Sequence, residues 1–554
     1  MPPNHGPNPN NPSVDPNTGF CSNTMTFHTL RSPAPLPPES APLSVTDYVF
    51  SLLNSSLPPP TTSAFIDAGT RHRLLYSDLI LRTKNLVSSL RTKFGHSRGD
   101  SALIVSPNSI YTPILYFSLF SLGVAVSPAN PVSTIPEIKH CVQLSKPVIA
   151  FATLDTAPKI PALRYGTVLV DSVEFELLME NGGGAKEAEG IQVSQSDVAT
   201  ILYSSGTTGR VKGVELTHRN WIAMAASTLA LRPVRETPPI HLCTVPLFHV
   251  YGFAYCVRAV AMGETVVIAG GGRRFGLGTM CGAIEEFGVS HVVVAPPVIV
   301  AMVRDGGVMD GYDLSSLEAV GCGGAPLRKG VIQKLRGRLP NVMLAQAYGL
   351  TETVGRVFST MGRTECEVEG ATGKLMPNCQ AKIVDPDTGA ALPPSMVGEL
   401  WLKGAHIMKG YIDDEEATMA TLDSEGWFRT GDLCYIDKEG FLFFVDRIKE
   451  LIKYKGYQVA PAELEHLLQS HPDVVEAAVV PFPDEESGQV PMAFAVKQSG
   501  SGICESQIKD FVAKQVSPYK TIRRLMFLDS LPKNATGKVL RKELIKMANA
   551  ISKL

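Results

Sequence analysis

The chain has 554 residues, Lys+Arg 51 against Asp+Glu 53, a net charge of -2 and 44% hydrophobic residues. This composition excludes a fibrous chain or one disordered throughout, and the balanced charge gives no polybasic case for nucleic acid or an anionic membrane. At about 100–200 residues per domain, the length corresponds to roughly three to five domain-sized units, or fewer large ones.

In chain order, residues 1–19 come first, rich in Pro and Asn and without an apolar core. They are predicted to be a disordered leader, not a signal peptide. Ten cysteines are scattered over the whole chain with no C-x-x-C pair. That pattern predicts thiols in a reducing compartment instead of a disulfide framework or a zinc site. Residues 76–94 and 279–287 read as helices, and residues 101–106, 148–152, 167–170 and 265–269 as buried strands. The alternation predicts α/β layers. Neither apolar run, 114–126 (broken by serines and a glycine) or 291–303 (interrupted by Pro296-Pro297), is long enough to cross a membrane. From Ala381 short strands at 381–384, 399–403 and 441–445 predict a β-rich subdomain over about 370–446. A compact α+β unit follows, with helices at 461–470 and 505–515 and strands at 474–480 and 492–497. The main boundary is placed at Asp446, giving an N-terminal domain over 20–446 and a small C-terminal domain over 447–554. A basic helical tail, 541–553, leads into Ser552-Lys553-Leu554. This tripeptide matches the receptor-read peroxisomal address, predicting a peroxisomal protein that meets the import receptor.

The strongest local signal lies between Tyr203 and Gly213, after an apolar strand at 198–202. Ser204, Ser205, Gly206, Thr207, Thr208, Gly209 and Lys212 supply hydroxyls, backbone N–H groups and a charge that can wrap phosphate oxygens. The spacing is not that of a Walker A loop, and a Ser/Thr/Gly-rich surface turn is the bland alternative. Further motifs follow in order: Tyr348-Gly349-Leu350-Thr351-Glu352, then Gly398 to Gly404, then Trp427-Phe428-Arg429-Thr430-Gly431-Asp432, then 446–461, then 532–541 with Gly537-Lys538.

Taken together, these six motifs resemble those of the acyl-adenylate-forming superfamily of acyl-CoA synthetases, plant 4-coumarate:CoA ligases and beetle luciferases, over roughly residues 20–554. The resemblance implies a large N-terminal α/β domain with a β-rich subdomain and a small mobile α+β C-terminal domain. It implies a two-step acid:CoA ligase that uses Mg2+ with ATP, then coenzyme A. By position in the motifs, Lys538 is the lysine bridging carboxylate and α-phosphate. His249 abuts the acyl carboxylate, and Lys453 and Gln458 are two further functional positions. The resemblance assigns Ser204 to Gly209, Lys212, Gln346, Thr351, Asp432, Arg447 and Lys449 to ATP or AMP, and Glu352 to Mg2+. Lys449 is also the hinge, and Arg274, Lys455 and Gly456 face coenzyme A. The acyl pocket maps to Tyr251, Ala254, Tyr255, Gly323, Gly324 and Ala347, the small residues leaving room for a ring or chain and Tyr251 able to stack or hydrogen-bond.

The similarity is greatest to peroxisomal plant 4-coumarate:CoA ligase-like proteins, with two departures: Ala347 stands where coumarate ligases usually have Gly, and Gly355-Arg356 replaces an apolar pair. Arg356 is expected to point outward, with reading of a polar substrate terminus as the alternative. The expected substrate is 4-coumarate or a related hydroxycinnamate, activated for side-chain shortening to benzenoids. A medium- or long-chain fatty or oxylipin (jasmonate-precursor) acid is the alternative. A luciferase-type oxygenase, a nonribosomal adenylation module and a non-enzymatic binder are the rival classes.

Overall fold

The structure, a computed structural model, describes residues 13–55, 61–95, 98–181, 191–204, 211–269, 276–304, 306–325, 327, 329–455, 457–484, 487–534 and 537–552. Strands such as Ser101–Val105 and Thr265–Ile268 are buried at every position. Such runs belong in parallel sheets covered on both faces. A seven-stranded sheet runs Gly410–Tyr411, Lys212–Thr217, Val198–Ser204, Ala125–Pro128, Ser101–Val105, Ile149–Ala152, Thr167–Leu169. A nine-stranded sheet has Ala319–Cys322, His291–Val294, Ile240–Cys243 and Thr265–Ile268 parallel at its centre. Both are layered with helices. Helix Tyr76–Phe94 buries Tyr76, Leu79, Thr83, Leu86, Val87 and Leu90, the spacing of one helix face, and stops at Gly95 in the left-handed region.

The two long apolar runs each contain a change of element. The first is the end of helix Thr112–Ser121, buried nearly all round, a turn through Gly123 at φ 66°, and strand Ala125–Pro128. The second is strand His291–Val294 and helix Pro296–Arg304. The proline pair there opens the helix, where a missing N–H removes no hydrogen bond. No helix among the described residues is long and apolar enough to cross a membrane. All ten thiols are free, and only that of Cys504 is exposed.

A third, antiparallel sheet carries Cys379–Val384, Gly398–Gly404, Phe428–Ile436 and Leu442–Arg447, and sets Asp432 opposite Arg447. Its last strand ends where the small unit begins. There a five-stranded sheet is built on the long hairpin Val474–Asp484/Gly488–Lys497. Helices Pro461–Ser470, Glu505–Ala513 and Arg541–Ile551 complete it, with an apolar cluster on each face. Asp446 couples the two parts: its Oδ1 accepts from Arg447 N at 2.7 Å and its Oδ2 from Ala462 N at 2.8 Å, in the first turn of helix Pro461–Ser470.

Candidate active site

The hairpin Met343–Leu350/Gly355–Ser359 builds one wall. A Cβ on Gly349 would lie 1.8 Å from the Gly355 carbonyl oxygen, so only glycine lets the strands approach. Its turn, with Val354 at φ 54° and Gly355 at φ 88°, presents Thr351 and Glu352. Glu352 is buried, and its Oε1 accepts from the Tyr411 hydroxyl at 3.1 Å. The Lys212 ammonium lies 4.4 Å from the centre of the same Tyr411 ring. Among the described residues no group of three or more His, Cys, Asp or Glu could hold a metal by itself. A single buried carboxylate suits Mg2+, which keeps waters and is commonly held by one or two carboxylates plus phosphate oxygens.

Strands Val198–Ser204 and Lys212–Thr217 pair antiparallel with Ser204 opposite Lys212. Ser204 Oγ is buried with no hydrogen-bond partner among the described residues. Ser205, Gly206, Thr207, Thr208 and Gly209 lie outside the described residues, as do Arg274 and Gly456.

Asp432 is 2% exposed; the Tyr348 hydroxyl donates to its Oδ2 at 2.7 Å and Arg447 Nε lies 3.2 Å from its Oδ1. Burial raises its carboxyl pKa, with Arg447 pulling the other way. Gln346 is buried in the hairpin and donates from Nε2 to the Ala371 carbonyl at 3.1 Å.

The small unit brings Lys538 to this carboxylate. The Lys538 N–H donates to Asn534 Oδ1 at 2.9 Å, holding the loop. Gly537 adopts φ 80°, and a Cβ there would fall 2.4 Å from Pro297 Cγ, at the start of helix Pro296–Arg304 of the large domain. Arg304 Nη2 donates across the same junction to the Val475 carbonyl at 2.7 Å. Burial, then the nearby Arg447, push the Lys538 ammonium down to about 8; Glu450 and Asp432 oppose this and Lys449 adds to it. Burial and the Lys538 charge together lower the His249 pKa, keeping the imidazole neutral. His249 caps helix Val250–Met262, its Nδ1 accepting from Tyr251 N at 3.3 Å, which leaves the ring proton on Nε2. Lys449 is exposed near Arg447, and its pKa is lowered by desolvation and then by the Arg447 charge.

The structure therefore gathers Lys538, His249, Asp432, Arg447 and Lys449. Lys453 and Lys455 are exposed on the small unit instead. Lys453 N donates to Gln489 Oε1 at 2.9 Å, and Gln458 stands opposite Lys453 in strand Tyr457–Val459.

Beyond His249 runs the acyl-pocket region. Tyr251, Ala254, Tyr255 and Arg258 follow one stripe of the otherwise buried helix Val250–Met262, and each keeps accessible surface. Three expectations change here. The Tyr251 hydroxyl donates to the Gly321 carbonyl at 3.3 Å, so this tyrosine offers its ring and not its O–H. The space beside Gly323 is filled by that ring, 3.5 Å from where a Cβ would stand. Gly324 is exposed with nothing within 4 Å, and its φ of 89° is what calls for glycine. Ala254 faces Gly355, and Ala347 is half-buried opposite Ser359.

Arg356 does not point outward. Its strand, Gly355–Ser359, is covered on both faces, and its Nη2 reaches Thr228 Oγ1 at 3.4 Å inside the large domain. Sequence reasoning also missed the group at this end: Arg258 Nη1 lies 2.8 Å and His241 Nε2 3.1 Å from Glu264 Oε2. The available signal was an arginine in an apolar helix at the i+7 position from Tyr251.

The sequence profile of the AMP-binding enzyme family matches residues 56–412, and that of the AMP-binding enzyme C-terminal domain matches residues 463–538. The chain is 48% identical over 548 residues to 4-coumarate–CoA ligase-like 9 of Arabidopsis thaliana, covering 97% of each chain. It is 45% identical to Peroxisomal OPC-8:0-CoA ligase 1 of the same organism, covering 98% of this chain and 100% of the other. Among solved structures it resembles o-succinylbenzoate CoA synthetase from Bacillus subtilis in complex with an acyl-adenylate intermediate, at 27% identity and TM-score 0.76, covering 90% of this chain and 97% of that one. The same enzyme in complex with ATP and magnesium ion matches at 26% identity and TM-score 0.76, covering 90% and 99%.

Proposed function

The chain belongs to the AMP-binding enzyme family and is an acid–thiol ligase of it, and on that premise we propose how its residues divide the work and which acid it activates. In the first half-reaction the acid's carboxylate attacks the α-phosphorus of ATP, forming acyl-AMP and releasing pyrophosphate. In the second the thiol of coenzyme A attacks the acyl carbon; the acyl–oxygen bond breaks, AMP leaves and the thiol proton is released.

The observation that carries the assignment is Lys538, held by the small unit within electrostatic reach of His249 and Asp432. Two anions must meet in the first half-reaction, and Lys538 supplies a positive charge where they do. Asp432, aligned by Tyr348 and Arg447, accepts the ribose hydroxyls. Thr351, Ser204 to Gly209, Lys212 and Gln346 line the nucleotide, and neutral His249 borders the carboxylate and gates the thiol. Glu352, with phosphate oxygens, would hold Mg2+, which when bound neutralises phosphate charge. For the second half-reaction the small domain turns about Lys449 and brings Lys453, Lys455, Gly456 and Gln458 to AMP and coenzyme A, with Arg274 of the large domain meeting coenzyme A.

The acid is 4-coumarate or a related hydroxycinnamate. Tyr251 and Tyr255, edge to face with ring centres 5.9 Å apart, present aromatic walls to a planar ring. The terminal Ser552-Lys553-Leu554 supports activation in peroxisomes, for side-chain shortening to benzenoids. An oxylipin acid is the second reading, favoured by the relative named Peroxisomal OPC-8:0-CoA ligase 1. A panel of carboxylic acids, scored for both pyrophosphate release and acyl-CoA formation, separates them. Equal or better turnover of medium-chain fatty or oxylipin acids overturns the hydroxycinnamate reading. Light or CO2 from acyl-AMP with oxygen, in place of stoichiometric acyl-CoA, would indicate luciferase-type chemistry.

A further inference from the structure

The far end of the acyl-pocket region carries an unbalanced charge. Two guanidiniums, Arg258 and Arg356, face one carboxylate, Glu264, which is held well ionised at about 2. The histidines around it do not add charge: burial depresses His241, and pushes His291 and His406 to about 4. Glu264 is engaged by Arg258 and His241. Among the described residues Arg356 has no ion pair, and its one hydrogen bond there is the long contact to Thr228. A buried guanidinium normally has a carboxylate to offset its desolvation. Burial lowers this one to about 10, yet part of its surface remains accessible. The side chain is thus drawn into the large domain without being fully covered.

The level at which it enters is set against helix Val250–Met262. His249 stands at its first turn near Lys538, and Tyr251, Tyr255 and Arg258 descend along it. At 1.5 Å per residue the Tyr255–Arg258 level lies roughly 10 Å from the reacting end. Gly355, next to Arg356 in its strand, faces Ala254 between Tyr251 and Tyr255 on this stripe, and Arg356 interacts electrostatically with Tyr251, Tyr255, Arg258 and Glu264.

We propose that Arg356 reads a hydrogen-bond-accepting oxygen at the far end of the acid, so that the preferred substrates carry a carboxylate, carbonyl or hydroxyl remote from the carboxyl group being activated. The inference rests on the ligase reading above and names a substrate class within it. A fork of N–H donors suits all three oxygen types. A chain or ring lacking that oxygen leaves the guanidinium unsatisfied, which discriminates more strongly than pocket shape alone.

The test uses the full chain, as wild type, Arg356→Leu and Arg356→Lys, with matched acids: cinnamate against 4-coumarate, octanoate against octanedioate, decanoate against 9-oxodecanoate. Adenylation is followed by pyrophosphate release. The wild type is expected to favour the oxygen-bearing member of at least one pair, and the pair with the largest kcat/KM ratio identifies the oxygen type. In Arg356→Leu that ratio falls about 10- to 100-fold, mainly through KM, and Arg356→Lys recovers part of it. The ligand-free melting temperature of Arg356→Leu is unchanged or higher, because an unpaired buried charge has gone. A wild type indifferent within every pair, or an Arg356→Leu enzyme with unaltered ratios, overturns the proposal. So does a marked loss of melting temperature, which would make Arg356 structural. Absence of pyrophosphate release with every acid would overturn the ligase reading itself, and this inference with it.

Discussion

Replacing Lys538 by methionine keeps the stem and removes the charge. In the ligand-free chain its ammonium is pushed from an ordinary 10.5 to about 8, mainly by burial. That difference corresponds to roughly 3 kcal/mol of unfavourable charge burial. Attraction to ATP and the acid carboxylate offsets it during adenylation. Lys538→Met should therefore lose adenylation by about 100- to 1000-fold, as when one charge-stabilising donor is removed from a reacting centre. It should still convert supplied acyl-AMP and coenzyme A to acyl-CoA. The ammonium form dominates below about 8, so wild-type kcat/KM for adenylation is level below that pH and declines above it, and the variant lacks this alkaline limb. The stability dependence has a definite sign. The folded-state pKa is depressed, so between about 8 and 10.5 the unfolded chain binds a proton that the folded chain does not. The contribution of this group to stability rises with pH across that window, and near about pH 7 the ligand-free variant should melt above the wild type. Rates of the two half-reactions, measured separately, and melting curves at several pH values check all of this. Equal slowing of both halves, or a lower melting temperature, would refute the reasoning.

Gly537→Ala places a methyl 2.4 Å from Pro297 Cγ at a positive φ, so it should impair docking of the Lys538 loop, slowing adenylation at least about 10-fold while supplied acyl-AMP is still used. Pro297→Ala in the same chain should restore part of the loss, as separate half-reaction rates will reveal. Tyr348→Phe removes the hydroxyl that donates to Asp432 Oδ2 and should raise KM for ATP about 10-fold with a smaller effect on kcat. A fusion with a fluorescent protein at the N-terminus should enter peroxisomes, and deletion of Ser552-Lys553-Leu554 should leave it in the cytosol, which microscopy in cells with marked peroxisomes decides.

What the sequence alone determined is local or modular. Helices Tyr76–Phe94 and Pro461–Ser470 were legible to the residue, because face periodicity and a Gly stop, or an opening Pro, act within one element. Strand ends shifted by a residue or more, and the hairpin Val474–Asp484/Gly488–Lys497 ran past its apolar stretches, because pairing with a partner extends a strand beyond what its own pattern signals. The ordered motifs named the family and nominated Lys538, Asp432 and Glu352 without saying which of them meet. Only tertiary structure decided that Lys538 sits beside His249 while Lys453 and Lys455 remain exposed, since this depends on how the small unit docks near Pro297. It alone turned Arg356 inward and engaged the Tyr251 hydroxyl, through partners at Thr228 and Gly321 that are remote in sequence. Side-chain direction and charge balance in a covered sheet are properties of what packs on both of its faces, and no single segment carries that information.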